Sequence, residues 1–316
     1  MADTPIDAIA VVGAGVIGAS WATYFAAHGH DVVVTDPAPD APKFLEETLA
    51  AQWAQLLQVG VRPGASLDRV RFEPSLERAV ANVQFVQENG PERLEIKHQI
   101  FEQLDRFTAP DTLLVTSTSG LLVSEIQVAC KHPERVLLGH PFNPPHLIPL
   151  VEVLGGKLTS ADALAKTIAF YRAIGKKPIH IRKEVPGHIA NRLQAALWRE
   201  AFNLVEQGIA TVEDVDTAIE SGPGLRWALC GPFVNMALSG GSGGIRHVLE
   251  HLGPPMEDWW QTLGATKLSP ELNEKIVAET DAEFAVIGDR ASVGSRRDQR
   301  LIELLAIKAR ASAPTT

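Results

Sequence analysis

The chain has 316 residues, 45% hydrophobic and 21% charged, and its formal net charge is −9. This length exceeds what one hydrophobic core usually serves, so two domains are expected, and the composition excludes widespread disorder. The acidic balance, without any long run of lysine and arginine, argues against nucleic acid and membrane surfaces as partners. Cys130 and Cys230 are too few for a disulfide framework. Because the chain lacks a leader-like N-terminus and a long apolar run, a cytoplasmic location is expected.

The first elements predict a dinucleotide-binding unit. A short buried strand, Ile9–Val12, runs into the glycine turn Gly13–Gly18, which opens a predicted helix, Val16–His28. A second strand, Val32–Thr35, ends at Asp36. This order of strand, glycine turn, helix, strand and acid is what the dinucleotide fingerprint requires. The alternative is a tight strand–helix turn that binds no ligand.

Each position of the glycine turn has an expected role. Gly13 permits the tight turn, Gly15 lets the backbone approach a pyrophosphate, and Gly18 lets helix and strand pack closely. The first helical amides, those of Val16 and Ile17 among them, and the positive end of the helix dipole suit phosphate groups.

Asp36 selects between the two nicotinamide cofactors. It follows Gly18 at the tip of the second strand, where a carboxylate can accept hydrogen bonds from both ribose hydroxyls. The same charge repels a 2′-phosphate, and Pro37 stands where an NADP enzyme often carries arginine. The predicted cofactor is therefore NAD.

Strand and helix alternate further along the chain. Helical spacing covers Ala41–Val59 and Pro91–Phe107, the second with an apolar inner face (Leu94, Ile96, Ile100, Phe101, Leu104). The predicted strands are Val70–Phe72, Val83–Val86, Leu113–Thr116, Val136–Gly139 and Ile148–Val153. Beyond about residue 184 nearly all segments are helical, beginning with Ile189–Gln207 and Val212–Glu220. We predict an α/β fold, in which a Rossmann-type, mostly parallel sheet domain (1–184) precedes an all-helical domain (185–316).

His140 is the leading candidate base. It directly follows the predicted strand Val136–Gly139 in a stiff, proline-flanked segment, and Ser117–Gly120 follows the preceding strand. Both therefore belong to the strand ends where open α/β sheets place their ligands. Glu152 is the candidate partner that fixes the tautomer of His140 and stabilises its charged form. The alternative is an ordinary loop histidine.

These segments resemble the 3-hydroxyacyl-CoA dehydrogenase superfamily over almost the whole chain. The resemblance rests on GAGVIG at 13–18, STSGLL at 117–122, HPFNPPHLIPLVEV at 140–153, EVPGHIANRL at 184–193 and GLRWA at 224–228. The last segment points to the branch that contains lambda-crystallin, L-gulonate 3-dehydrogenase and L-carnitine dehydrogenase.

The resemblance implies a role for each matching residue. His140 is the general base and Glu152 its orienting carboxylate, and three residues contact the substrate (Ser119, Asn143, Asn191). Glu92 and Lys97 match cofactor-side positions near the nicotinamide. The alternatives are a helix cap for Ser119, a loop-stabilising side chain for Asn143 and a buried structural amide for Asn191.

One residue departs from the family pattern. His188 stands where relatives commonly have phenylalanine. We expect a surface histidine at a helix start, and the alternative is a side chain that reshapes the substrate cleft or makes it more polar.

The residues favour a compact polar substrate over an acyl-CoA. Pro39–Val61, where acyl-CoA enzymes of this superfamily carry several lysines, has Lys43 alone, and its apolar residues suggest packing (Phe44, Leu45, Leu49, Trp53, Leu56, Leu57). Arg226 is the candidate carboxylate clamp, with an interfacial ion pair as the alternative. Trp198 and Trp227 are expected in the core, although they could line a pocket for a quaternary ammonium.

The expected activity is NAD-dependent oxidation of the 3-hydroxyl of a small carboxylate such as L-gulonate, L-carnitine or a simple 3-hydroxy acid. The alternatives are a short-chain 3-hydroxyacyl-CoA dehydrogenase, a reductase of 3-oxo acids or diketo esters, and an NAD-binding, crystallin-like structural protein.

No metal is expected, because His247 and His251 have helical ligand spacing but no third ligand. Trp259 and Trp260 are expected to pack within the helical domain. By resemblance alone, we expect a homodimer formed through the C-terminal domain.

Overall fold

The computed structural model describes residues 6–311, and the side chains through residue 310. The chain divides into two compact units. Among the described residues, the first comprises those up to Asn191 with Leu301–Ala306, and the second comprises Arg192–Arg300 with those from Ile307 onward. The predicted domain boundary near residue 184 stays a prediction.

The first unit is built on an eight-stranded sheet of order β3-β2-β1-β4-β5-β6-β7-β8. The strands are β1 Ala8–Val12, β2 Asp31–Thr35, β3 Val70–Phe72, β4 Phe85–Glu88, β5 Leu113–Thr116, β6 Val136–Pro141, β7 Leu150–Gly155 and β8 Lys177–His180. All neighbours pair in parallel except β6 and β7, which are antiparallel. The predicted mostly parallel sheet is confirmed.

Helices cover both faces of this sheet. They are α1 Val16–Ala27, α2 Ala41–Val59, α3 Leu76–Val80, α4 Leu94–Phe107, α5 Val123–Ile126 and α6 Ala161–Ala173. One buried cluster joins the sheet to α1, α2 and α6, and the other joins it to α3, α4 and α5. The strand order reverses between β1 and β4, so the crevice beyond their carboxyl ends is where such a sheet binds ligands.

The rest of the described chain is helical. The helices are α7 Ala190–Glu206, α8 Val212–Glu220, α9 Pro223–Trp227, α10 Pro232–Ser239, α11 Gly244–Thr262, α12 Pro270–Ile287 and α13 Arg290–Ala311. Within residues 6–311, no helix has the length and apolarity needed to cross a membrane.

Several predicted boundaries were wrong by a few residues. β4 lies two residues later than expected, β6 continues through Pro141, and α4 begins at Leu94 rather than Pro91. On α4, Lys97 and Asp105 are buried with Phe101 and Leu104. On α2, Phe44 and Leu57 are exposed, so the packing expectation was wrong for these two residues.

Candidate functional site

The antiparallel pairing of β6 and β7 brings His140 and Glu152 together. The two residues are directly opposite in the register, so their side chains lie on the same face of the sheet. The distance between His140 Nδ1 and Glu152 Oε2 is 2.8 Å, and both side chains are buried. His140 therefore lies inside β6 rather than just beyond it, which corrects the expected position.

Hydrogen bonds determine which nitrogen of His140 carries the proton. Burial by itself raises the pKa of Glu152, but hydrogen bonds from His140 and from the amides of Ala190 and Ile189 outweigh it, and the pKa lies below its usual value. The ionised carboxylate accepts, so His140 donates through Nδ1–H. In the neutral ring Nε2 then has a lone pair, and it lies 3.2 Å from Ser119 Oγ. This ring can accept a proton at Nε2.

Glu152 also binds the start of α7. Its Oε1 accepts from the amides of Ile189 and Ala190, each at 2.9 Å. A carboxylate at a helix N-terminus satisfies amides that have no partner within the helix and is favoured by the helix dipole. Asn191 is the next residue of α7 and is partly exposed, which does not fit a buried structural amide.

The Ser117–Gly120 loop, here called the serine loop, is held by Glu92. Glu92 Oε1 accepts from Thr118 Oγ1 at 2.6 Å, from Ser119 N at 2.9 Å and from Gly120 N at 2.8 Å. Leu122 is the N-cap of α5, so Ser119 is not a helix cap. Asn143 is exposed between β6 and β7, and no residue in the described part of the chain bonds its side-chain amide.

Lys97 is buried and fully engaged inside the protein. Its ammonium donates to Glu88 Oε1 at 2.8 Å, to Glu88 Oε2 at 2.9 Å and to Gly90 O at 3.0 Å. The ammonium thus supports the Glu88–Gly90 segment, and the cofactor-side role expected for Lys97 stays a prediction. Sequence reasoning missed Glu88 because the predicted strand ended at Val86.

The glycine turn has the geometry that a dinucleotide requires. Gly13 has φ +94°, and a Cβ there would lie 2.8 Å from Asn89 O. A Cβ on Gly18 would lie 1.8 Å from Gly13 O, whereas no atom lies within 4 Å of one on Gly15. The backbone at Gly15 is thus open to close approach by a phosphate.

The surroundings of the glycine turn also fit NAD. Helix α1 begins at Val16 with no side-chain cap and no acidic residue in its first turn, so its amides, including that of Ile17, suit an anion. Asp36 directly follows β2, and its Oδ2 accepts from Ala14 N at 2.7 Å. Its oxygens retain lone pairs for ribose hydroxyls.

His188 is not a surface residue. Its side chain is only 1% exposed, and its ring centroid lies 5.2 Å from that of His140. The expectation of a surface histidine was wrong because the chain leading into α7 folds back against the serine loop, where His188 Nε2 bonds to Thr118 O at 3.1 Å.

The arginine and the four tryptophans of the second unit for which roles were predicted are all exposed. Arg226 is exposed on α9, and no ion pair of its guanidinium occurs within residues 6–311. Trp198 is 51% exposed and Trp227 46% exposed. Trp259 and Trp260 are 61% and 60% exposed, so the expectation of packing within the chain was wrong for all four tryptophans.

Two family models match the chain. Residues 8–185 match the NAD binding domain of 3-hydroxyacyl-CoA dehydrogenase, and residues 187–278 match its C-terminal domain.

Named relatives match over nearly the whole length. An L-carnitine dehydrogenase of Streptomyces coelicolor is 46% identical over 94% of this chain and 93% of the relative. One of Pseudomonas putida is 43% identical over 96% of this chain and 94% of the relative. A solved structure of 5-formyl-3-hydroxy-2-methylpyridine 4-carboxylic acid 5-dehydrogenase, an NAD⁺-dependent dismutase, is 28% identical, with a TM-score of 0.83, covering 98% of this chain and 100% of that one.

Proposed function

The chain belongs to the 3-hydroxyacyl-CoA dehydrogenase family and is an NAD-dependent oxidoreductase, and we propose that it oxidises the 3-hydroxyl of a small hydroxy carboxylate of the L-carnitine type. The observation that carries the proposed chemistry is the buried His140–Glu152 pair, whose proton-accepting lone pair lies at His140 Nε2, 3.2 Å from Ser119 Oγ. The relatives named L-carnitine dehydrogenase support the substrate class.

The residues support a balanced alcohol oxidation. NAD, when bound at the glycine turn, supplies the acceptor for the hydride. His140 Nε2 takes the hydroxyl proton as the carbinol C–H bond breaks and the C=O bond forms, and Glu152 stabilises the resulting imidazolium. Positioned proton transfer of this kind contributes on the order of 10²–10⁴-fold. Ser119 and Asn143 are proposed to donate to the substrate oxygen when it gains charge in the reverse reaction.

The charge on α2 supports a substrate smaller than a CoA thioester. Lys43 is exposed and lies 3.9 Å from Glu47, and α2 has no other lysine or arginine to meet nucleotide phosphates. Arg226 is proposed as the carboxylate clamp from its chemistry, because a guanidinium binds carboxylates bidentately. Asn191 is proposed as a further substrate contact.

A substrate panel tests the proposal. L-carnitine, L-gulonate, 3-hydroxybutyrate and 3-hydroxybutyryl-CoA are each supplied with NAD, and NADH absorbance is followed. The expected result is the highest kcat/KM for L-carnitine. Activity on the thioester alone would overturn the substrate class.

The proposed base is tested separately by His140→Ala. Turnover should fall by about 10²–10⁴-fold, while NAD affinity measured by calorimetry stays unchanged. His132→Ala is the matched control, because the His132 side chain is 53% exposed. Turnover at the wild-type rate in His140→Ala would refute the assignment.

The second unit supports a proposed homodimer. Large apolar side chains are exposed on α10 and α11, among them Phe233 at 75%, Leu238 at 69% and Leu252 at 50%. Large exposed apolar side chains gathered on two neighbouring helices are typical of protein–protein contacts. Sedimentation analysis should give a dimer, and Phe233→Asp should shift it toward the monomer.

A further inference from the structure

His188 occupies a position that connects the serine loop to the proposed base. Its side chain is 1% exposed, and its ring packs against that of His140 with a centroid distance of 5.2 Å. Its backbone has φ +52°, a left-handed conformation that non-glycine residues rarely adopt. Such a conformation persists only where the surroundings hold it.

The contacts of His188 identify its protonation state. Thr118 O can only accept, so His188 Nε2 carries the proton that it donates at 3.1 Å. His188 Nδ1 is buried and has no hydrogen-bond partner among the described residues. A proton on Nδ1 would therefore be a buried donor without an acceptor, which is costly.

The charged and titratable groups near His188 do not reverse its preference for an uncharged ring without a proton on Nδ1. They are His140 on β6, Glu152 on β7 and Glu92 before α4. Burial is the largest effect and lowers the pKa of His188, while the Thr118 carbonyl and the two carboxylates act in the opposite direction without outweighing it. His188 is thus uncharged at neutral pH.

We propose that His188 is a positioning residue that, as an uncharged imidazole, holds the serine loop against the His140–Glu152 pair. The proposal rests on the proposed function, in which His140 is the base. Ser119 is adjacent to Thr118, and its Oγ lies 3.2 Å from His140 Nε2, so fixing the Thr118 carbonyl fixes the hydroxyl beside the proton-accepting nitrogen. Because His188 is uncharged, no second positive charge opposes formation of the His140 imidazolium.

Two substitutions separate the hydrogen bond from the packing. His188→Phe keeps a planar ring but removes the donor, and kcat should fall about three- to tenfold, the effect of one hydrogen bond, with NAD affinity unchanged. His188→Gln retains an N–H donor for Thr118 O and should recover most of this loss. His98→Phe is the matched control, because His98 Nε2 also bonds a backbone carbonyl, that of Glu125 at 2.8 Å, and its loss should leave kcat unchanged.

A measurement without turnover tests the tautomer. In ¹⁵N-histidine NMR spectra, the signal that His188→Phe removes should be that of an Nε2–H tautomer that does not titrate between about pH 6 and 8. Titration of this signal near pH 6.5, or an Nδ1–H tautomer, would overturn the proposal. So would an unchanged kcat in His188→Phe, or an equal loss in the Phe and Gln variants.

Failure of the two proposals can be distinguished. If His140→Ala keeps its turnover, the base assignment fails whatever His188 does. If His140→Ala is inactive but His188→Phe has the wild-type kcat, only the role of His188 is refuted.

Discussion

Glu152→Gln is the most informative single substitution, because it keeps the shape of the side chain and removes its charge. In the wild type, Oε2 accepts from His140, and Oε1 accepts from the amides of Ile189 and Ala190. If the glutamine oxygen keeps the two amides, its NH₂ group faces the Nδ1–H of His140. The imidazole must then move its proton to Nε2, which removes the lone pair that accepts the substrate proton.

The expected loss can be estimated from these contacts. A wrong tautomer at a buried acid–base pair lowers kcat on the order of 10³–10⁴-fold, as in serine proteases. Bonds to a charged group are worth about 1.5–3 kcal/mol and neutral ones about 1 kcal/mol. Each of the three bonds to Glu152 therefore loses about 0.5–2 kcal/mol, and the free energy of unfolding should fall by about 1.5–6 kcal/mol.

The pH dependence provides a further check. The pKa of Glu152 is lower in the folded than in the unfolded chain, so its stabilising contribution is present above the unfolded value and is lost as the pH falls through the folded one. In urea denaturation, the free energy of unfolding of Glu152→Gln should not show the decrease at low pH that protonation of Glu152 causes in the wild type.

Initial rates and urea denaturation are compared with those of Glu102→Gln, an exposed substitution in the middle of α4 that should change neither quantity. A kcat within threefold of the wild type in Glu152→Gln would refute the tautomer argument.

Three further outcomes are expected. Asp36→Ala should weaken NAD binding and relax the rejection of NADP, and an unchanged NAD/NADP ratio of kcat/KM would remove Asp36 from that role. Burial lowers the pKa of His28 to about 4, so on acidification the unfolded chain binds this proton at a higher pH than the folded chain does. The free energy of unfolding should therefore fall as the pH drops from about 6.5 to 4. The loss should be at most about 3 kcal/mol. Urea denaturation of His28→Asn should show a flatter dependence in that range than His132→Asn. Lys97→Met leaves Glu88 as an unpaired buried carboxylate and should lower the free energy of unfolding by about 3–5 kcal/mol. In thermal denaturation, the double variant with Glu88→Gln should regain much of this stability.

Local sequence patterns predicted the parts of the fold that depend on backbone preferences and periodicity. The glycine turn and the helix after it were predictable because a left-handed turn residue, an uncapped helix start and an apolar helical segment are local properties. The proximity of His140 and Glu152 was predictable for a similar reason, since they lie only twelve positions apart in one strand pair.

Burial of polar groups was not predictable in this way. A lysine on a helix is usually exposed to solvent, yet Lys97 is 1% exposed because Glu88 and Gly90 O accept hydrogen bonds from its ammonium. Trp198 and Trp227 read as core residues, yet they are exposed within the single chain.

The sequence by itself determined the order of elements, the cofactor fingerprint and the candidate base pair. Only the tertiary structure decided that Glu152 binds the start of α7, that His188 is buried against His140, and that one tautomer is favoured at each ring. Protonation depends on the summed contacts of groups that are distant along the chain; Thr118 and His188, for example, are 70 positions apart. A local pattern contains no information about such contacts.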